Sequence, residues 1–159
     1  MSYEDQVKNL SEAIDIAIET FKNDPPTGFT PSHVDHFVNT YKDFKHKVLN
    51  PESKFANEKS LKYIQDDVLT FFLESNGPTT DAFWKKLNEH GLPYKRKNKL
   101  ATILKRGEIK NKREYGLIQD LIVPYQQEGL LSLDEVNTLS RLMACFEFIK
   151  RKNSPSPGD

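Results

Sequence analysis

Four histidines and a single cysteine are the side chains of this 159-residue chain best suited to ligating a metal or attacking a substrate. His33 and His36 lie three apart with Asp35 and Asp43 close by, a spacing that can set two ligands side by side on a helix. At ~100° per residue, however, the apolar stripe of their helix centres ~80° from His33, whereas His36 and Asp43 fall near ~300° and ~280°. These groups are expected to face solvent. A bundle metal site also needs Glu-x-x-His elements projecting from other helices, and the chain has none, so no metal is assigned. Cys145 sits between Ala144 and Phe146 with only Arg141 as a basic residue within a turn. With no base in reach to lower its pKa, it is expected to be a small packing residue.

Other routes to catalysis are equally bare. Gly-x-Ser-x-Gly and Ser-x-x-Lys elements are absent, as are Gly-x-Gly-x-x-Gly and the Walker pattern that cradle phosphates. Asp66 and Asp67 are consecutive and diverge by ~100° on a helix, which makes them poor partners for acid–base work. No catalytic residue and no cofactor is assigned. An enzyme is the last of three readings, for which the sign would be a buried pocket holding His90 or Cys145 beside a base.

The stronger signal is charge placement. Lys/Arg and Asp/Glu are equal at 23 each, yet residues 1–84 carry eight basic against fourteen acidic side chains. Residues 85–113 reverse this with eleven against two, and residues 114–159 have four against seven. A block of that density repels itself unless a neighbour or ligand offsets it. Lys85, Lys86, Lys95, Arg96, Lys99, Arg106, Lys110, Lys112 and Arg113 are the candidate polyanion contacts. Tyr94 and Tyr115 flank them as candidate stacking rings. On a helix over residues 96–106, extended to Lys95, the side chains of Lys95, Lys99, Thr102 and Arg106 would share one stripe. The same charges fit two plainer roles, a solvated or self-complementary face and a face for an acidic protein partner. The helix pair around Gly91 resembles a helix-turn-helix in outline. Lys97 stands where that motif buries an apolar residue, and Pro93 stiffens the turn.

The elements that must position these residues are helices. Apolar residues recur at three and four over residues 3–21 (Tyr3, Val7, Leu10, Ile14, Ala17, Ile18, Phe21), with Glu12, Asp15 and Glu19 on the other side. A second helix opens at Thr30 with Pro31 in its first position and ends at Asn50-Pro51. A third covers residues 57–75. A fourth, capped by Thr79 or Thr80, runs through Phe83, Trp84 and Leu87, and its two aromatic rings are expected in the core. The sixth, residues 112–127, contains Pro124, where a kink or early stop is expected. Ser132 and Glu135 are spaced as a capping box before a last helix carrying Val136, Leu139, Leu142, Met143, Phe146 and Ile149.

No segment alternates with period two, so the expectation is an all-α, compact bundle of six or seven helices without a sheet. The length suits one domain and one core: residues 1–152 as a single helical domain, followed by a disordered tail at 153–159. No apolar run approaches the ~18 residues that span a bilayer, and the first 22 residues carry acids where a secretory leader needs bases. One cysteine allows no internal disulfide and suits a reducing compartment, so a soluble, cytoplasmic protein with no membrane partner is expected. The first functional reading is a non-enzymatic helical binding or regulatory module whose basic face takes a polyanion such as nucleic acid. The second is a protein-interaction adaptor or neutralising partner. Oligomeric state has no signature in the sequence.

Overall fold

The computed structural model describes residues 1–153. It is all-α, with seven α-helices, one 3-10 turn and no strand among the described residues. Apart from Asn153, with which the last helix ends, the tail expected at 153–159 lies outside the described residues. The chain divides into two compact units, Met1–Arg96 and Lys97–Asp159. Buried apolar side chains form two clusters rather than the one core expected from the length.

The first unit contains α1 (Tyr3–Asn23), α2 (Pro31–Leu49), α3 (Glu58–Glu74) and α4 (Pro78–Glu89). Ser2 caps α1 by accepting from the Asp5 N–H, and the acids of the first turn complement the helix dipole. Its inward stripe, Leu10, Ala13, Ile14, Ala17 and Phe21, is wholly buried because α1 packs against α2, α3 and α4. Thr30 caps α2 as the sequence suggests, and His33 completes the box: its Nδ1 accepts from the Thr30 N–H at 3.1 Å. His33 and His36 are both exposed.

Thr79 and Thr80 do not cap α4. Gly77, at φ 119°, occupies that position with Pro78 in the first turn, because only glycine takes this backbone conformation without strain. Both threonine hydroxyls turn inward instead, Thr79 donating to the Asp24 carbonyl and Thr80 meeting the Ser75 hydroxyl, each at 2.6 Å. Phe83 stacks on Phe72 with centroids 3.7 Å apart, and the buried Trp84 indole donates to the Phe72 carbonyl at 2.9 Å. This seam fixes α4 on α3.

The second unit contains α5 (Ala101–Arg106), α6 (Lys112–Gln127) and α7 (Leu133–Asn153). Its core gathers Leu100, Ile103, Ile118, Leu121, Tyr125, Leu131 and Leu139. α5 starts five residues later than expected and has six residues. The cause lies in the segment before it. Asn98 turns its amide oxygen onto the Leu100 N–H at 2.9 Å, a local bond that competes with helix. The Tyr125 hydroxyl accepts from the Lys99 N–H at 3.1 Å and donates to the Lys97 carbonyl at 2.9 Å, so both groups are bonded outside a helix.

Pro124 does not stop α6, which continues to Gln127. The proline stands in the last turn, which is closed by the Glu128 N–H donating to the Pro124 carbonyl at 2.9 Å. Ser132 and Glu135 form the expected box at the start of α7, with reciprocal bonds of 3.1 and 3.0 Å.

Candidate functional site

Residues 90–100 separate α4 from α5, a connection of eleven residues rather than the three or four of a helix-turn-helix. The outline suggested by Gly91 is therefore not that motif. The expected stripe of Lys95, Lys99, Thr102 and Arg106 dissolves for the same reason, since Lys95 and Lys99 precede the helix.

The basic block is distributed over both units, Lys85, Lys86, Lys95 and Arg96 on the first and the remainder on the second. Within the first unit Arg96 is inaccessible to a ligand: its side chain is 4% exposed and its guanidinium bonds Asp81 at 2.8 Å. Lys86 lies 3.8 Å from Glu19 in a loose, solvated pair, while Lys85 and Lys95 are exposed. Tyr94 offers no stacking face, being 8% exposed, and burial pushes its hydroxyl pKa up to about 12.

In the second unit the α5–α6 corner is built on Arg106. Gly107, at φ 79°, ends α5 in the left-handed conformation and turns the chain. The Arg106 guanidinium then bonds the Glu108 carbonyl at 3.0 Å and the Glu114 carboxylate. Glu114 also accepts from the Lys110 N–H at 2.8 Å, and Asn111 caps α6 through the Glu114 N–H at 2.9 Å. The hydrogen bond from Arg106, with that from the Lys110 N–H, holds the Glu114 carboxyl below its ordinary value. Arg106 is thus a fastener of the corner rather than an open contact. Lys105, Lys110, Lys112 and Arg113 project from this corner into water and make no ion pair among the described residues.

Tyr115 is likewise engaged, and its engagement reveals what linear counting missed. Its ring stacks on Phe146 of α7, centroids 5.4 Å apart, and its hydroxyl donates to the Glu147 carboxylate, which raises the phenol's pKa. The start of α6 therefore lies beside the end of α7, and the two helices run antiparallel. Lys150, Arg151 and Lys152, all exposed in the last turn of α7, are brought to the same end as Lys112 and Arg113 in the first turn of α6. The signal for this was the Glu128-Gly129 break, which folds one helix back on the other.

Cys145 is exposed rather than packed. Phe148 and Ile149 share that exposure at 67% and 56%, so Ile149 departs from the inward stripe expected of it.

A groove of about 660 Å³ lies in the first unit, between the end of α2 and the start of α3. Val48, Pro51, Phe55, Leu61 and Tyr63 give it an apolar wall with His46 at its rim, and neither His90 nor Cys145 lines it. His90 instead meets Glu12 at 2.9 Å on the surface. Among the described residues no three His, Cys, Asp or Glu side chains are grouped to hold a metal ion, and no helix is long and apolar enough to cross a membrane. No protein family, no curated protein and no solved structure matches the chain.

Proposed function

We propose that this chain is a non-enzymatic helical binding module whose second unit engages a polyanion, with nucleic acid as the class of partner. One observation carries the reading. The stacking of Tyr115 on Phe146 and its bond to Glu147 bring the basic first turn of α6 and the basic last turn of α7 to one end, beside the exposed Lys105 and Lys110. Of the three acids there, Glu114 is paired with Arg106, while Glu147, which accepts from the neutral Tyr115 hydroxyl, and Glu108 keep their charge against the more numerous exposed cations of that end. A positive end of this density attracts phosphates by releasing their condensed counterions. Residues far apart in sequence meet there, whereas a merely solvated block needs no such convergence. An exposed, unpaired thiol at Cys145 fits action in a reducing compartment, the cytoplasm.

The test is binding of the full chain to a labelled oligonucleotide and to heparin over a salt series. Lys112→Ala combined with Arg113→Ala should weaken both and reduce the slope of log affinity against log salt by roughly 0.7 to 0.9 for each phosphate that is no longer neutralised. The helical circular-dichroism signal should be unchanged, because both side chains are exposed. Absence of binding at low salt, or binding indifferent to the double substitution, overturns the reading. Recovery of an acidic protein without nucleic acid puts the adaptor reading in its place.

A further inference from the structure

Neither aromatic ring that flanks the basic block in sequence offers a free face, Tyr94 because it is buried and Tyr115 because it stacks on Phe146. A third ring, Phe148, takes their place. It stands on the outer face of α7 at 67% exposure. A ring at that exposure leaves an apolar face free for contact, and its neighbours indicate with what. Residues three and four apart on a helix adjoin, with Cβ atoms ~5 to 6 Å apart, so Arg151 and Lys152 flank Phe148 one turn on. Both are exposed, and Arg141 lies two turns before on the same face. Glu147, one turn before Arg151, accepts from the Tyr115 hydroxyl, which places Arg151 toward the start of α6 with its Lys112 and Arg113.

We infer that the polyanion is single-stranded nucleic acid and that Phe148 is the platform on which one of its bases stacks. This rests on the polyanion reading above and narrows it. A base between two phosphates presents a flat apolar face flanked by negative charge, and Phe148, with Arg141 before it and Arg151 and Lys152 after it on one face, is the complement of that pattern. Duplex DNA keeps its bases stacked inside, so a duplex would leave this ring uncovered. An anionic membrane would call for an apolar band; here the other large exposed apolar side chain of that turn, Ile149, points ~100° away from Phe148 around the helix.

The experiment compares wild type, Phe148→Ala and Phe148→Trp against a twelve-nucleotide oligo(dT), a twelve-pair duplex, heparin, and vesicles of phosphatidylcholine with phosphatidylserine. Phe148→Ala should bind oligo(dT) about 5- to 150-fold more weakly, the range expected when a single base stack is removed, while heparin and duplex affinities hold. Phe148→Trp should retain oligo(dT) binding and show indole quenching with oligo(dT) but not with heparin. If Phe148→Ala matches wild type on oligo(dT) while Lys112→Ala/Arg113→Ala still weakens it, the stacking inference fails and the polyanion reading survives. If wild type binds none of the anions, the polyanion reading itself fails. Vesicle binding abolished in Phe148→Ala without oligo(dT) binding assigns the ring to lipid. A dimer converted to monomer by Phe148→Ala assigns it to self-association. Either outcome overturns the inference.

Discussion

Removing the carboxylate of Asp81 should destabilise the first unit far more than removing the cation it serves. Arg96 is 4% exposed at its side chain and Asp81 30%, so the guanidinium has lost nearly all its water while the carboxylate keeps some. Breaking a buried ion pair by removing one member costs about 3 to 5 kcal/mol, and partial solvation on the Asp81 side reduces this toward ~2 kcal/mol. For a unit of this size that loss lowers Tm by about 8 to 16 °C. Arg96→Met, by contrast, withdraws the charge together with its desolvation cost and keeps an apolar stem. Its effect should stay below about 1 kcal/mol. Trp84 is the only tryptophan and lies in the first unit, so urea unfolding followed by its fluorescence reads that unit. The double variant Asp81→Ala/Arg96→Met should recover most of the loss of Asp81→Ala. A loss under about 0.5 kcal/mol for Asp81→Ala, or equal losses for both single variants, would refute the argument that burial commits Arg96 to structure. The functional corollary is that Arg96→Met leaves heparin affinity at the wild-type value.

Glu114→Gln should destabilise the second unit at neutral pH, because a carboxyl held below its ordinary value stabilises the fold only while ionised; the gap from wild type in thermal melts should be constant above about pH 6 and close as pH falls through the depressed value. Thr30→Ala removes one arm of the α2 capping box and should cost about 1 kcal/mol in the same urea assay that reads Trp84. Cys145 should react with a thiol reagent such as DTNB in the native state at the rate of the unfolded chain, and slow reaction would contradict its placement on the outer face of α7.

Helices were legible in the sequence where the apolar period is uninterrupted and the caps are unambiguous. Thr30-Pro31, Asn57 and the Ser132–Glu135 box all act as their residue types suggest. Local chemistry decides such ends, and it is written within four residues. The misreadings have the opposite character. α5 loses its first turn because Tyr125, more than twenty residues on, takes the Lys97 carbonyl and the Lys99 N–H. Thr79 leaves the cap position because the folded unit brings the Asp24 carbonyl close, while Thr80 meets Ser75 only five residues away. For Thr79, as for Lys97 and Lys99, a long-range partner prevails over a local one.

Charge followed the same rule with a further consequence. Linear counting correctly found the basic block but treated its members as equivalent, whereas the fold sorts them by which carboxylate comes within reach. Arg96 and Arg106 are drawn into the structure by Asp81 and Glu114, and the lysines of the same stretch are mostly left in water. Arginine suits the inward role because its planar fork bonds several acceptors at once and tolerates burial, while a lysine ammonium holds its hydration more tightly. Counting along the chain also assigned residues 150–152 to the acidic remainder, since a charge count passes over the Glu128-Gly129 break that returns α7 beside the start of α6. A surface is assembled by the path of the backbone. The Tyr115–Phe146 contact brings the exposed cations of α6 and α7 to one end, and that convergence is why they carry the functional argument.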